Sequence, residues 1–471
     1  MAQFEDVKPD RWMPRGEAWV PSHRTPMVVW QGIVGEEAEV RIVHRGRNLV
    51  KAKWNKTERP SPHRVDPQCK RYQRCGGCPW MHMDADGQAS AHRALVQQWL
   101  DDAQLDDVEI GAFHACPDGM EAFRHVVKVG VAMNDQERTR VGAWARGTRQ
   151  IVPIPECHVA VPVLRKAMKS LAHHIIDLDV WPYQPDTGRG VLRAAVMRAS
   201  RSTGEILVTL IAARKSPLVR DLAEAVAQGV SEVAGVGVHY NGAEGNAIFD
   251  RDEDGVIHIR HLLGRSQIEE TLGGVTYSVG AGDFFQTNPS VAEVLYRRTL
   301  ERLEVDSTTT VIDLYCGVGG LALQAAKAGA GFVIGVEILD GAVQRARTAA
   351  RQNRLRAEFM QGRVDQVVPD LAERLRGIGP VVTVNPARRG LEEGVIEEIL
   401  QLDPSRMAYI SCNPSALSRD LVKLREAGFT VNGPIELFDM FPNTPHVECL
   451  VILDRAVAAT GRRAPRRKVV R

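Results

Sequence analysis

The feature that most narrows the fold is Val311-Ile-Asp-Leu-Tyr-Cys-Gly-Val-Gly-Gly320, an apolar run that breaks into glycines just before the helical pattern of Leu321 to Lys327. A strand ending in a glycine-rich turn brings bare backbone close to a ligand, and the helix that follows presents its N-terminus beside that turn. The spacing is Gly-x-Gly-Gly, not the dinucleotide pattern Gly-x-Gly-x-x-Gly, and no phosphate-binding lysine and hydroxyl pair accompanies it. Farther on, Val333-Ile-Gly-Val-Glu-Ile338 reads as a second strand ending in Glu337, an acid suited to the two hydroxyls of a ribose. A ribose without a pyrophosphate suits S-adenosylmethionine. The competing reading is an ordinary strand-turn-helix with a surface glutamate.

Beyond the glycines, strand and helix alternate. Val311 to Tyr315, Val333 to Glu337, Val381 to Val384, Met407 to Ser411 and Cys449 to Leu453 read as strands; Gly341 to Gln352, Glu393 to Leu400 and Ser415 to Ala427 read as helices. Such alternation predicts an α/β fold with a doubly wound parallel sheet, whose ligands collect at the carboxyl ends of the strands. Those ends are Tyr315, Glu337, Asn385 and Cys412.

A chain of 471 residues exceeds what one core usually serves, so two or three domains are expected. Residues 1 to 26 show no clear period and read as irregular. From Met27 to Lys56, short alternating runs separated by Gly32, Gly35 and Gly46 predict a small β-barrel. Its basic residues, Arg41, Arg45, Arg47, Lys51, Lys53, Lys56 and Arg59, face a single acid, Glu58, and the barrel resembles the TRAM type of oligonucleotide-binding domain. This stretch and an acid-free basic tail from Arg455 to Arg471 are suited to a phosphate backbone, although the net charge is only +2. For the tail, a solubilising disordered segment is an equal reading. No apolar stretch is long enough to span a membrane, and Met1 to Pro9 lacks a signal-peptide pattern, so a cytoplasmic protein with reduced thiols is expected.

Phe123 to Leu262 is mainly β in pattern, with strands at Val126 to Met133, Gly190 to Met197 and Glu205 to Ala213, and helices near His92 to Ala103 and Leu218 to Ala227. Ahead of it, Cys69, Cys75 and Cys78 crowd around a Gly-Gly turn, and Cys157 follows at a distance. A thiol triad plus one remote cysteine favours a 4Fe-4S cluster over zinc, whose ribbons come as two similar pairs; unligated buried thiols are the third reading.

Two strand ends carry further chemistry. Ser411-Cys412-Asn-Pro414 places a thiol where a helix begins, a position expected to lower its pKa. Asp439 to Glu448 is a loop that delivers an acid to the start of the last strand. A methyl donor, a thiol and a carboxylate together suit methylation of a pyrimidine at C5: the thiolate adds to C6, C5 becomes nucleophilic, and a base removes the C5 proton. Taken singly, Cys412 reads equally as a packed thiol and Glu448 as a surface acid.

Phe284-Phe-Gln-Thr-Asn288, Asp313-Leu-Tyr-Cys-Gly-Val-Gly319, Gly335-Val-Glu-Ile338, Ser411-Cys-Asn-Pro414 with Arg419-Asp420, and Phe438 to Glu448 resemble, in that order, the RNA 5-methyluridine methyltransferases. Ser61-Pro-His-Arg-Val-Asp-Pro67 with the cysteine triad resembles their cluster-bearing members. The resemblance implies a Rossmann-like methyltransferase domain at 263–454, a central mainly β, cluster-bearing domain at 59–262, a small N-terminal barrel at 20–58 and a tail at 455–471. It makes Cys412 the nucleophile and Glu448 the base. Gln286, Tyr315, Glu337 and Asn385 become S-adenosylmethionine contacts, and Cys69, Cys75, Cys78 and Cys157 the ligands of a 4Fe-4S cluster. It implies a monomer acting on structured RNA, ribosomal rather than transfer RNA. One position departs: the family's Asp-Pro-Pro-Arg-x-Gly stands here as Asn385-Pro-Ala-Arg-Arg-Gly390, exchanging a carboxylate for an amide. That exchange leaves two other readings, a catalytically impaired RNA-binding relative and an RNA amino-group methyltransferase using Asn385.

Overall fold

The computed structural model describes residues 3–21, 25–148, 150–243, 245, 247–253 and 256–455. Apart from Arg455, the basic tail lies outside the described residues. The first sheet has six strands in the order Phe4–Val7, Glu37–Arg45, Val50–Arg59, Met27–Trp30, Ala18–Val20 and Arg11–Trp12. Three of these fall in the stretch expected to be irregular. They are two to four residues long, too short for a period of their own, and owe their form to pairing, as where Phe4 to Val7 lies antiparallel to Ala38 to Arg41. Trp12, Val29, Val40 and Ala52 form the core with Trp80, Met83 and Leu95 from the segment that follows.

The second sheet has seven strands, in the order Ile151–Val152, Thr139–Trp144, Val126–Met133, Leu192–Ala199, Ile206–Ala212, Val233–Tyr240 and Arg260–Gly264. Helices Pro162–Asp177 and Pro217–Gly229 cover one face, packing on Val127, Val129, Ala195, Met197 and Val208. Val126, Ala194 and Val196 point to the other face, where Ile248 and Phe249 pack on them.

The third sheet has nine strands and holds the glycine loop. Glu358–Gln361, Phe332–Glu337, Thr310–Leu314, Val381–Val384 and Arg406–Ser411 run parallel in that order. Glu448–Arg455 then pairs antiparallel with Arg406–Ser411, and Ile435–Phe438 antiparallel with Glu448–Arg455. The sheet is therefore mixed where a purely parallel one was expected. The connection through Asp439 to Val447 carries no helix, and parallel neighbours need a crossover. Ile110–His114 completes the edge beside Ile435–Phe438, and helix Ala85–Asp102 buries Val96 and Leu100 in the same core. A stretch from the middle of the chain is thus built into the catalytic layer.

Candidate active site

Strand order reverses between Thr310–Leu314 and Val381–Val384, which opens the crevice where such sheets take ligands. The backbone there is unusual: Tyr315 has φ 65°, Gly317 56° and Gly319 84°. A non-glycine residue in the left-handed region is strained and persists where its surroundings impose it. Here the backbone N–H of Gly317 donates to Glu337 Oε2 at 3.0 Å, while Leu339 N–H donates to Oε1 at 3.0 Å. Each carboxylate oxygen keeps a further lone pair for a ligand. Buried Asp313 accepts from Thr383 Oγ1 at 2.7 Å and Ala322 N at 3.0 Å, tying two strands to the helix after the glycines; burial pushes its pKa up to about 7.

Tyr315 buries a hydroxyl with no hydrogen-bond partner, and burial raises its pKa to about 12. Gln286 is buried beside Tyr296, and its neighbour Phe284 is 70% exposed. The carbonyl oxygen of Phe284 lies 3.9 Å from where a side chain on Gly317 would begin, so this loop closes one wall of the crevice. Asn385, half-buried, follows Val381–Val384 on the opposite side. An orphaned hydroxyl, free carboxylate lone pairs and a backbone stripped of Cβ atoms fit an adenosyl group, whose ribose offers hydroxyls without a phosphate.

The candidate thiol and carboxylate lie one strand farther along. Ser411 pairs with Cys449 across antiparallel strands, so Cys412 and Glu448 occupy adjoining positions where both strands meet the crevice. Arg388 reaches the same place: its charge acts on Cys412, and its guanidinium donates to His446 Nδ1 at 2.9 Å. Glu448 is 4% exposed, Oε2 has no partner, and burial raises its pKa to about 7 against the opposing pull of Arg388. The thiol departs from expectation. Burial first, and then the charge of Glu448, push the Cys412 pKa up, with Arg388 pulling it down. The helix N-terminus that was expected to activate it does not prevail over desolvation and a neighbouring carboxylate.

Two sets of bonds hold these groups in place. Asp420, 1% exposed, accepts from Leu391 N at 2.8 Å and Tyr409 Oη at 2.7 Å, while Arg419 bonds to Asp420 and to the Arg389 carbonyl. Asn413 Nδ2 donates to the Arg388 carbonyl at 2.8 Å. On the other side, Asn443 donates its N–H to Gln88 Oε1 at 2.7 Å, and its carbonyl accepts from Trp80 N at 3.0 Å. The loop leading to Glu448 therefore rests on the segment that follows the cysteine triad.

Cys69, Cys75, Cys78 and Cys157 converge. Burial and the charges of the other cysteines raise the thiol pKa of Cys75 and Cys78, while Arg124 lowers both. Among the described residues, no group of three or more His, Cys, Asp or Glu is arranged to hold a single metal ion. Four cysteines gathered together, beside one cation, are a donor set of the kind that holds an iron-sulfur cluster. Sequence reasoning gave no role to Arg388, His446 or Asp313. The signal for Arg388 was its place three residues after the strand-end Asn385.

Comparison with known proteins agrees with this geometry. The profile of the family described as tRNA (Uracil-5-)-methyltransferase matches residues 260–456. An uncharacterized RNA methyltransferase of Bacillus cereus is 31% identical over 456 residues, covering 96% of this chain and 95% of that protein. One from Listeria monocytogenes is 30% identical over 440 residues, covering 91% and 92%. The crystal structure of Pyrococcus abyssi tRNA (uracil-54, C5)-methyltransferase in complex with S-adenosyl-L-homocysteine shares the fold, with a TM-score of 0.74 and 24% identity, over 95% of this chain and all of that one. With relatives at this identity along nearly its whole length and the family's profile across its catalytic layer, the chain belongs to the tRNA (uracil-5-)-methyltransferase family of RNA methyltransferases.

Proposed function

We propose that this protein transfers a methyl group from S-adenosylmethionine to C5 of a uridine in structured RNA, through a covalent bond between Cys412 and C6. The observation that carries the reading is the pair itself: a half-buried thiol and a buried, partnerless carboxylate on adjoining strand ends, with the charge of one guanidinium acting on both. Gln286, Tyr315, Glu337 and Asn385 would hold the cofactor, which when bound supplies an electrophilic methyl group. The uracil must be turned out of its stack to reach the thiol. Arg388 supports the Cys412 thiolate, which adds to C6 and leaves C5 nucleophilic. Once C5 carries the methyl, Glu448 takes its proton; a carboxylate with a pKa of about 7 is well matched to that step near neutral pH. Loss of the proton expels Cys412.

The four cysteines would hold a 4Fe-4S cluster that fixes the segment on which the Glu448 loop rests; we assign it no step in the reaction. No helix among the described residues is long and apolar enough to cross a membrane, and the free thiols suit a reducing, cytoplasmic setting. The barrel strands Glu37–Arg45 and Val50–Arg59 suit the flanking RNA, which we take to be ribosomal, with the protein acting as a monomer. The test is incubation with labelled S-adenosylmethionine and separated ribosomal and transfer RNA, then nucleoside analysis. Label in 5-methyluridine is expected, and label only on an exocyclic amine would overturn the reading.

A further inference from the structure

The loop from Ala281 to Thr287, which walls the crevice and carries Gln286, is neither helix nor strand, and Phe284 is its single exposed residue. Such a segment keeps one shape only where groups from elsewhere bond to it. Asp283, at its root, gathers those bonds. Gly280 N–H donates to Asp283 Oδ2 at 2.6 Å and Asp283 N–H donates to the Gly280 carbonyl at 3.3 Å, closing the turn that follows strand Val275–Gly280. Arg345 forms an ion pair with Asp283 Oδ1, and Arg198 Nη2 donates to the Asp283 carbonyl at 2.9 Å. The far end is tied as well, where His125 N–H donates to the Thr287 carbonyl at 3.0 Å. Between the two ends, Phe285 packs on Tyr277 with 5.4 Å between ring centres.

The two arginines come from different parts of the molecule. Arg198 lies on strand Leu192–Ala199 of the central sheet, where burial disfavours its charge and the carboxylates of Asp283 and Glu270 pull the other way. Arg345 lies on helix Asp340–Gln352, which begins three residues after Glu337. A side chain added at Gly341 would start 3.2 Å from Arg345 Nη2, so Arg345 runs back over the first turn of that helix. It heads there towards the segment in which Leu339 N–H donates to Glu337. Asp283 therefore joins the segment that carries Gln286 to the segment that carries Glu337, and ties both to the central sheet. Its side chain is 6% exposed, that of Arg345 28%. We propose that Asp283 is a positioning residue for S-adenosylmethionine: through Arg345 and Arg198 it sets the Gln286 loop at a fixed distance from the Glu337 segment. This rests on the assignment of Gln286 and Glu337 to the cofactor. A buried ion pair returns little net stability once desolvation is counted, and here its contribution is to hold one arrangement of the loop. The central sheet thereby takes part in cofactor binding without touching the cofactor.

The experiment is calorimetry of S-adenosylmethionine binding to the full-length protein without RNA. Asp283→Asn keeps the side-chain shape and removes its charge; Arg345→Gln removes the partner at the more exposed end of the pair. Each is expected to raise the dissociation constant for S-adenosylmethionine roughly tenfold, the scale of one charge-assisted hydrogen bond. The double variant should bind no more weakly than the weaker single one, because both act through one pair. In methylation assays KM for the cofactor should rise in step while kcat at saturating cofactor changes less than about twofold, a split that a general loss of stability does not produce. Arg220→Gln, on helix Pro217–Gly229 and paired to Glu224, is the charge-loss control and should bind as wild type does. If Asp283→Asn does not fold, Arg345→Gln carries the same test. Wild-type affinity in the folded single variants, or losses that add in the double one, would overturn the positioning role and leave the cofactor reading standing. A wild type that does not bind S-adenosylmethionine would overturn both.

Discussion

Glu448 acts on Cys412 through charge. It raises the energy of the Cys412 thiolate, and Arg388 favours both anions. Cys412→Ala is expected to abolish methyl transfer while calorimetry still detects S-adenosylmethionine binding, because the thiol attacks the base and does not hold the cofactor. Glu448→Gln should trap a covalent protein-RNA adduct, visible as a slow-migrating band on a denaturing gel, since C5 can be methylated but its proton cannot leave. The same substitution has a stability signature. Glu448 has a folded pKa of about 7, raised above its unfolded value near 4.5, so its contribution is fully present below about 4.5 and is lost as pH rises through about 7. The unfolding free energy of Glu448→Gln should exceed that of wild type by more at pH 8 than at pH 5, with the change between the two pH values on the order of 2 to 3 kcal/mol in chemical denaturation. Asn385 supplies an acceptor oxygen without the family's charge, which makes an active but slower enzyme the expectation. A charge-assisted hydrogen bond exceeds a neutral one by about 1 to 2 kcal/mol, so Asn385→Asp should raise single-turnover methylation roughly tenfold. A lower rate in the acid variant would mean the site is tuned for the amide.

At the scale of elements, the loop from Asn385 to Leu391 decides where Arg388 points, and Asp420 holds that loop through two buried acceptor bonds. Asp420→Ala would strand the Leu391 N–H and the Tyr409 hydroxyl away from water. A loss of about 3 kcal/mol in chemical denaturation is expected, with kcat reduced more than the affinity for S-adenosylmethionine, because Arg388 is displaced while the glycine turn is not. Much of this element pattern could be read from the chain. Four of the five parallel strands announced themselves because strands buried on both faces are continuous apolar runs, as in Val381-Val-Thr-Val384. Glu358–Gln361, Phe429–Val431 and Ile435–Phe438 did not, since three or four residues carry no period and take strand form from their neighbours. Helix Val364–Arg374 hides behind an internal Pro369, which reads locally as a break.

At the scale of the whole molecule, the N-terminal six-stranded sheet is tied to the candidate site. Its core closes over Trp80, Trp80 donates to Asn443, and Asn443 lies on the loop to Glu448. If the four cysteines hold a cluster, anaerobically purified protein should be brown with about four irons per chain. Cys75→Ser should then lose the colour, lower the melting temperature and reduce kcat as well, because the support of the catalytic loop loosens. Zinc without iron in elemental analysis would sink this. The sequence by itself determined the glycine turn, the parallel strands, and Cys412 and Glu448 as candidates, because each depends on neighbours in the chain and on residue chemistry that is local. Only the tertiary structure decided that Ile110–His114 completes the edge of the nine-stranded sheet, that the charge of Arg388 acts on both thiol and carboxylate, and that burial raises the Cys412 pKa where a helix end would lower it. These turn on register between segments far apart in the chain and on how much water the packed protein excludes, and neither quantity is written in any single stretch of residues.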